Sequence, residues 1–200
     1  MGWKISKEFD FCYGHRVWSQ KLNPDFSIDN RCVCRHLHGH QGKILVSLES
    51  NILTDGMVTD FKHLNWFKKF IDDSLDHKFI IDQNDPMFNI IIPTAAIKGE
   101  VPFIKKPEGY SIVDPGLFKM TTNEPLIELL EGFVIVDFVP TSENLSKWLF
   151  DIVTKKMREI NVDVSSVQFY ETPKSQSTFI KNTNTLMDEP GESFTDPWEL

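Results

Sequence analysis

The chain has 200 residues, 40% hydrophobic and 25% charged, which is enough to bury one core and a small satellite. Its formal net charge of -8 argues against the broad attraction to phosphate backbones that drives nucleic-acid binding. No run approaches the roughly 18 apolar residues of a membrane span, so neither nucleic acid nor membrane is expected as a partner, and a small-molecule substrate fits better.

Along residues 3 to 17 the alternation reads as a strand ending near Gly14-His15-Arg16, followed by a polar loop over 19 to 34. From His38, the even positions His40, Gly42, Ile44, Val46 and Leu48 share one face of a second long strand. Asp60 is placed to cap a helix in which Phe61, Leu64, Phe67, Ile71 and Leu75 recur at helical spacing, with an end near Asp76-His77 and with Lys62, Lys69 and Asp73 on the solvated face. Residues 82 to about 132 hold six prolines and read as an irregular insertion. Phe133 to Val136 reads as a short strand, and Pro140-Thr141-Ser142 announces a second helix with an apolar stripe of Leu145, Trp148, Leu149, Ile152, Val153, Met157 and Ile160. Val167, Phe169 and Glu171 share a face of a following strand, and a last one begins near Ser177. The reading is one domain over 1–184 with an insertion at about 83–132. Residues 185–200 form a polar tail whose Asp188, Glu189, Glu192, Asp196 and Glu199 exaggerate the acidity of the whole, and whose Trp198 and Leu200 are candidates to dock on a neighbour.

The opening MGWKISKEFDF lacks the long apolar stretch of a secretory signal, so a cytoplasmic location is expected. Cys12, Cys32 and Cys34 are odd in number and crowded together, a poor disulfide framework that suits reduced thiols or small buried side chains. No Gly-rich phosphate loop and no Ser-centred nucleophile elbow is present.

His38 and His40, two apart on a strand, project to the same side with Gly39 between them. His15 on the neighbouring strand is placed to complete a three-histidine site of the kind that holds zinc while leaving one position open for water or substrate. His36 precedes the regular strand and ranks below these three as a ligand.

Together with Phe11 to His15, the run Cys34-Arg35-His36-Leu37-His38-Gly39-His40 opens a series of motifs. It continues with Gly56-Met57-Val58-Thr59-Asp60-Phe61, Leu75-Asp76-His77-Lys78, Pro140-Thr141-Ser142-Glu143-Asn144-Leu145 and Glu171-Thr172-Pro173. In that order they resemble the 6-pyruvoyl-tetrahydropterin synthase and 6-carboxytetrahydropterin synthase superfamily over roughly residues 3 to 82 and 133 to 181, closest to the bacterial carboxy-forming members. The resemblance implies an α+β tunnelling fold: a four-stranded antiparallel sheet with two helices on one side, whose subunits join into a barrel. It also implies a homo-oligomer, typically a hexamer of two trimers, with active sites near subunit boundaries.

By the same resemblance His15, His38 and His40 match zinc ligands, Cys34 the catalytic thiol, and Asp76 and His77 its acid–base partners. Glu171 matches a pterin anchor that can also join the proton relay, and Thr141, Ser142 and Glu143 match a second group beside the pterin. On their own residues, Asp76-His77 reads equally as a helix C-terminus and Thr141 as a helix N-cap. The expected reaction converts 7,8-dihydroneopterin triphosphate to 6-carboxy-5,6,7,8-tetrahydropterin, releasing acetaldehyde and triphosphate, toward 7-deazaguanines such as queuosine precursors. The competing readings are pyruvoyl formation with Cys32 as the thiol, six residues before His38 where Cys34 is four, and a zinc- and pterin-binding protein without turnover.

Overall fold

In the computed structural model, residues 2–21, 25, 33–93 and 103–181 are described; Cys32 and the whole of the 185–200 tail, with Trp198 and Leu200, lie outside the described residues. Strands β1 (Trp3–His15) and β2 (His38–Ser50) pair antiparallel along their full length, Trp3 opposite Ser50 and His15 opposite His38. On one face β1 contributes Phe9, Phe11 and Tyr13, and β2 contributes Ile44, Val46 and Leu48, all buried. These are alternate positions, so a single register turns every one of them inward.

The C-terminal strands β7 (Asp163–Thr172) and β8 (Ser175–Ile180) add to the free side of β2, antiparallel again. Thus β1, β2, β7 and β8 are successive antiparallel neighbours. Among the described residues, however, the sheet has eight strands in the order β4-β5-β6-β3-β1-β2-β7-β8 and is mixed, which corrects the four-stranded expectation. Strand β3 (Lys78–Asp82) runs parallel to the end of β1 and to β6 (Phe133–Val136), and β6 then pairs antiparallel with a hairpin of β4 (Phe103–Lys105) and β5 (Ser111–Val113). Strand β3 escaped the sequence reading because Ile80, Ile81 and Asp82 are all buried, so it carries no alternation.

Two of the helices pack on the Phe9 side of the sheet. After a 3-10 turn capped by the Asp60 carboxylate, which accepts the Lys62 N–H, helix α1 (Asn65–Ser74) buries Phe67 and Ile71. Its outer face pairs Lys69 with Asp73 at 2.6 Å. The insertion is more ordered than its prolines suggested: besides the hairpin it holds helices α2 (Phe88–Ile91) and α3 (Glu124–Glu131). Leu117, Leu126 and Leu130 join Ile81, Ile92, Phe133 and Ile135 in a second core. Helix α4 (Ser142–Arg158) buries Leu145, Trp148, Leu149, Val153 and Met157 against the first core, as its stripe required, whereas Ile160 falls beyond its end. Thr141 is its N-cap, the hydroxyl accepting the Asn144 N–H at 3.3 Å.

Candidate metal centre and surrounding site

Because His15 pairs with His38 across the β1–β2 ladder and Tyr13 pairs with His40, the three imidazoles share one face at the end of the sheet. Their ring centroids lie 4.6, 4.9 and 5.1 Å apart. The backbone dictates which nitrogens face inward. His15 Nδ1 lies 2.6 Å from the Pro140 carbonyl and His38 Nδ1 lies 2.8 Å from the His36 carbonyl. A carbonyl only accepts, so each Nδ1 carries its proton and each Nε2 presents a lone pair. Those two Nε2 atoms are 3.1 Å apart with no proton to share, and the buried His40 Nε2 has no hydrogen-bond partner among the described residues.

Two fixed lone pairs, with the unpartnered Nε2 of His40 beside them, fit a bound cation, and an all-imidazole set suits zinc or a similar borderline ion. The environment also keeps the ligands neutral. Burial lowers the His15 pKa from 6.5 to about 4, against the raising effect of the Pro140 carbonyl, and burial followed by the nearness of His38 lowers that of His40. His36, demoted at the outset, contributes its carbonyl rather than its ring.

Glu171, on β7, brings Oε1 to 3.7 Å from His15 Nε2 with its side chain a quarter exposed. Burial raises its pKa, and Glu143 adds to the rise while His38 opposes it. Glu143 stands in the first turn of α4, where its carboxylate accepts from the Ser142 hydroxyl at 3.3 Å. Helix α4 therefore begins over the centre: Pro140 orients His15, Thr141 caps, and Glu143 faces Glu171 electrostatically. Cys34, half-buried in the turn before β2, is tied to the same end of the sheet by the Val17 N–H, which its carbonyl accepts at 2.8 Å.

Asp76 and His77 lie elsewhere. The Asp76 carboxylate accepts the Cys12 N–H at 2.7 Å, the His77 N–H donates to the Cys12 carbonyl at 2.7 Å, and His77 Nδ1 lies 3.0 Å from Asp76 Oδ2. Held chiefly by the Cys12 N–H and then by His77, the Asp76 carboxyl stays below its ordinary pKa. Cys12 alternates with the inward-facing Phe11 and Tyr13, so this pair belongs to the opposite face of β1 from the three histidines. A groove of about 930 Å³ opens there, lined among others by Gly14, Gln41, His77, Phe79 and Leu129.

Tyr13 was not singled out from the sequence. Its ring centroid stands 5.2 Å from that of His15 and 5.6 Å from that of His40, and its hydroxyl is buried without a partner among the described residues. Burial, with Glu171 second, raises its pKa strongly. The available signal was its place two residues before His15 on the same strand face.

A sheet of this topology with a three-histidine centre at its end defines the class, and the profile of the 6-pyruvoyl tetrahydropterin synthase family matches residues 4–182. The chain belongs to that family, on its bacterial carboxytetrahydropterin side. The 6-carboxy-5,6,7,8-tetrahydropterin synthase of Aquifex aeolicus is 31% identical over 191 residues, covering 90% of this chain and 98% of the relative. That of Haemophilus influenzae is 26% identical over 178 residues, covering 86% and 94%. Among solved structures, an uncharacterised protein of Wolinella succinogenes superposes with a TM-score of 0.83 at 53% identity, covering 91% of this chain and 99% of its own. The 6-pyruvoyltetrahydropterin synthase of Plasmodium vivax, at a TM-score of 0.53 and 15% identity with 91% and 99% coverage, shares the fold.

Proposed function

We propose that this chain is a zinc-dependent lyase that converts 7,8-dihydroneopterin triphosphate to 6-carboxy-5,6,7,8-tetrahydropterin, releasing acetaldehyde and triphosphate, as a step toward 7-deazaguanines such as queuosine precursors. The observation that carries the reading is the convergence of ring nitrogens of His15, His38 and His40 beside Glu171, in a chain related over nearly its whole length to proteins named for that reaction.

His15, His38 and His40 would hold the zinc, which when bound would lower the pKa of side-chain hydroxyls of a dihydropterin. Glu171 receives the N–H edge of the aminopyrimidine, a charge-assisted contact that compensates its partial burial. Thr141, Ser142 and Glu143 border the pterin from the start of α4, with the Thr141 hydroxyl also capping the helix. Cys34, as thiolate, removes a proton from the substrate side chain, and His77, oriented by Asp76, returns one.

The Asp76–His77 pair and the three histidines occupy opposite faces within one chain, which favours a site completed by a second copy. Among the described residues the outer strand β8, with Ile180 exposed, has no neighbour on its far side and offers an edge for such assembly. The proposed state is a homo-oligomer built as a barrel, with a hexamer the expected size, working in the cytoplasm. Turnover of the Cys34→Ala and Glu171→Gln proteins tests the assignment. Loss of at least a thousandfold in the first supports Cys34 as the base, and full activity in it removes that role.

A further inference from the structure

The Cys12 thiol is given no role in the proposed reaction, yet its backbone is firmly anchored. It is exposed on β1, and both of its backbone polar groups are tied to the turn at Asp76-His77: its N–H to Asp76 Oδ1 at 2.7 Å and its carbonyl to the His77 N–H at 2.7 Å. His77 adopts a left-handed backbone, φ 58°, a conformation unfavourable for a non-glycine residue and held here by those bonds. The result is a cluster in which the Cys12 thiol, the Asp76 carboxylate and the His77 ring all lie within 4.8 Å of one another.

We propose that Cys12, Asp76 and His77 form a second divalent-metal site, selective for zinc, cobalt or cadmium and distinct from the three-histidine centre of the same chain. The donor set is one sulfur, one nitrogen and one oxygen, which suits borderline and soft ions and disfavours magnesium and calcium. Bonds of about 2.0–2.3 Å around a tetrahedral ion set its ligands roughly 3.5 Å apart, so closing the cluster takes at most about 1.3 Å of side-chain movement on a clamped backbone. The ion replaces the proton that Asp76 and His77 share, and the thiol proton passes to solvent. His77 has a side chain 80% exposed, which leaves the fourth position to water. The site itself does not depend on the proposed lyase activity; one consequence rests on that reading, namely that excess metal withdraws Asp76 and His77 from proton transfer and inhibits.

The test uses the full-length protein stripped of metal and titrated with Co²⁺ under reducing, anaerobic conditions. The expected result is roughly two cobalt ions per chain and a sulfur-to-cobalt charge-transfer band in the near ultraviolet. Cys12→Ser, an exposed and nearly isosteric change, abolishes the band and leaves about one ion; Cys34→Ser keeps both ions and the band; His38→Ala loses the other ion and keeps the band. A wild-type chain that binds a single ion, or a band that survives Cys12→Ser and disappears in Cys34→Ser, overturns the proposal. The Cys12→Ser arm decides the matter even if the His38 variant folds poorly.

Discussion

At His15 the chemistry of the centre is decided by one backbone carbonyl and by burial. The Pro140 carbonyl fixes the tautomer, and burial lowers the pKa to about 4, below its ordinary 6.5. Between those values the unfolded chain takes up a proton that the folded chain refuses, so this contribution to stability is complete above about pH 6.5 and is lost as the pH falls toward 4, on the order of 3 kcal/mol in all for the metal-free protein. Nuclear magnetic resonance of the metal-free protein should show the His15 ring titrating near pH 4; a midpoint near 6.5 contradicts the burial argument. Glu171 poses a different question, because it matters only when substrate is present. Replacing it with Gln keeps its shape but exchanges a charge-assisted contact for a neutral one, and KM should rise roughly tenfold or more with the unfolding midpoint little changed. An unchanged KM contradicts its role as pterin anchor.

At the scale of elements, β1 and β2 do most of the positioning, and the packing of the β1 aromatic rings over β2 depends on Gly42. A Cβ there would lie 2.9 Å from the ring of Tyr13 and 3.0 Å from that of Phe11, both buried. Gly42→Ala is expected to cost about 1–3 kcal/mol in urea denaturation by displacing the aromatic wall behind the histidines. The N-terminus of α4 separates two roles of Thr141. Thr141→Ala should lose about 1 kcal/mol from the cap alone, and a concomitant rise in KM assigns a further part in binding.

These elements were legible in the sequence to different degrees, for physical reasons. The long strands and α4 bury one face only, so Phe9, Phe11 and Tyr13, or Leu145, Leu149 and Val153, write their period into the chain. Strand β3 is buried on both faces and writes none, and the order of the insertion comes from the packing of Leu117, Leu126 and Leu130 on Ile81 and Ile92, contacts that no local pattern announces. The convergence of His15, His38 and His40 followed from strand alternation. The docking of Asp76 and His77 on Cys12 did not, because it depends on a parallel register between segments 64 residues apart.

For the whole molecule, the proposed function makes assembly part of the chemistry, because Asp76–His77 lies apart from the histidine centre within one chain. If each site draws on two chains, refolding a mixture of the inactive Cys34→Ala and His77→Ala proteins should restore a measurable share of activity, because some interfaces then bring together two intact halves. No recovery in mixed oligomers points instead to sites contained in single chains. Among the described residues no helix is long and apolar enough to cross a membrane. The most direct test of the central claim is to incubate the zinc-loaded protein with 7,8-dihydroneopterin triphosphate and follow the pterins by anaerobic mass spectrometry. The account predicts 6-carboxy-5,6,7,8-tetrahydropterin with equimolar acetaldehyde; a 6-pyruvoyl product, or substrate bound and unchanged, contradicts it.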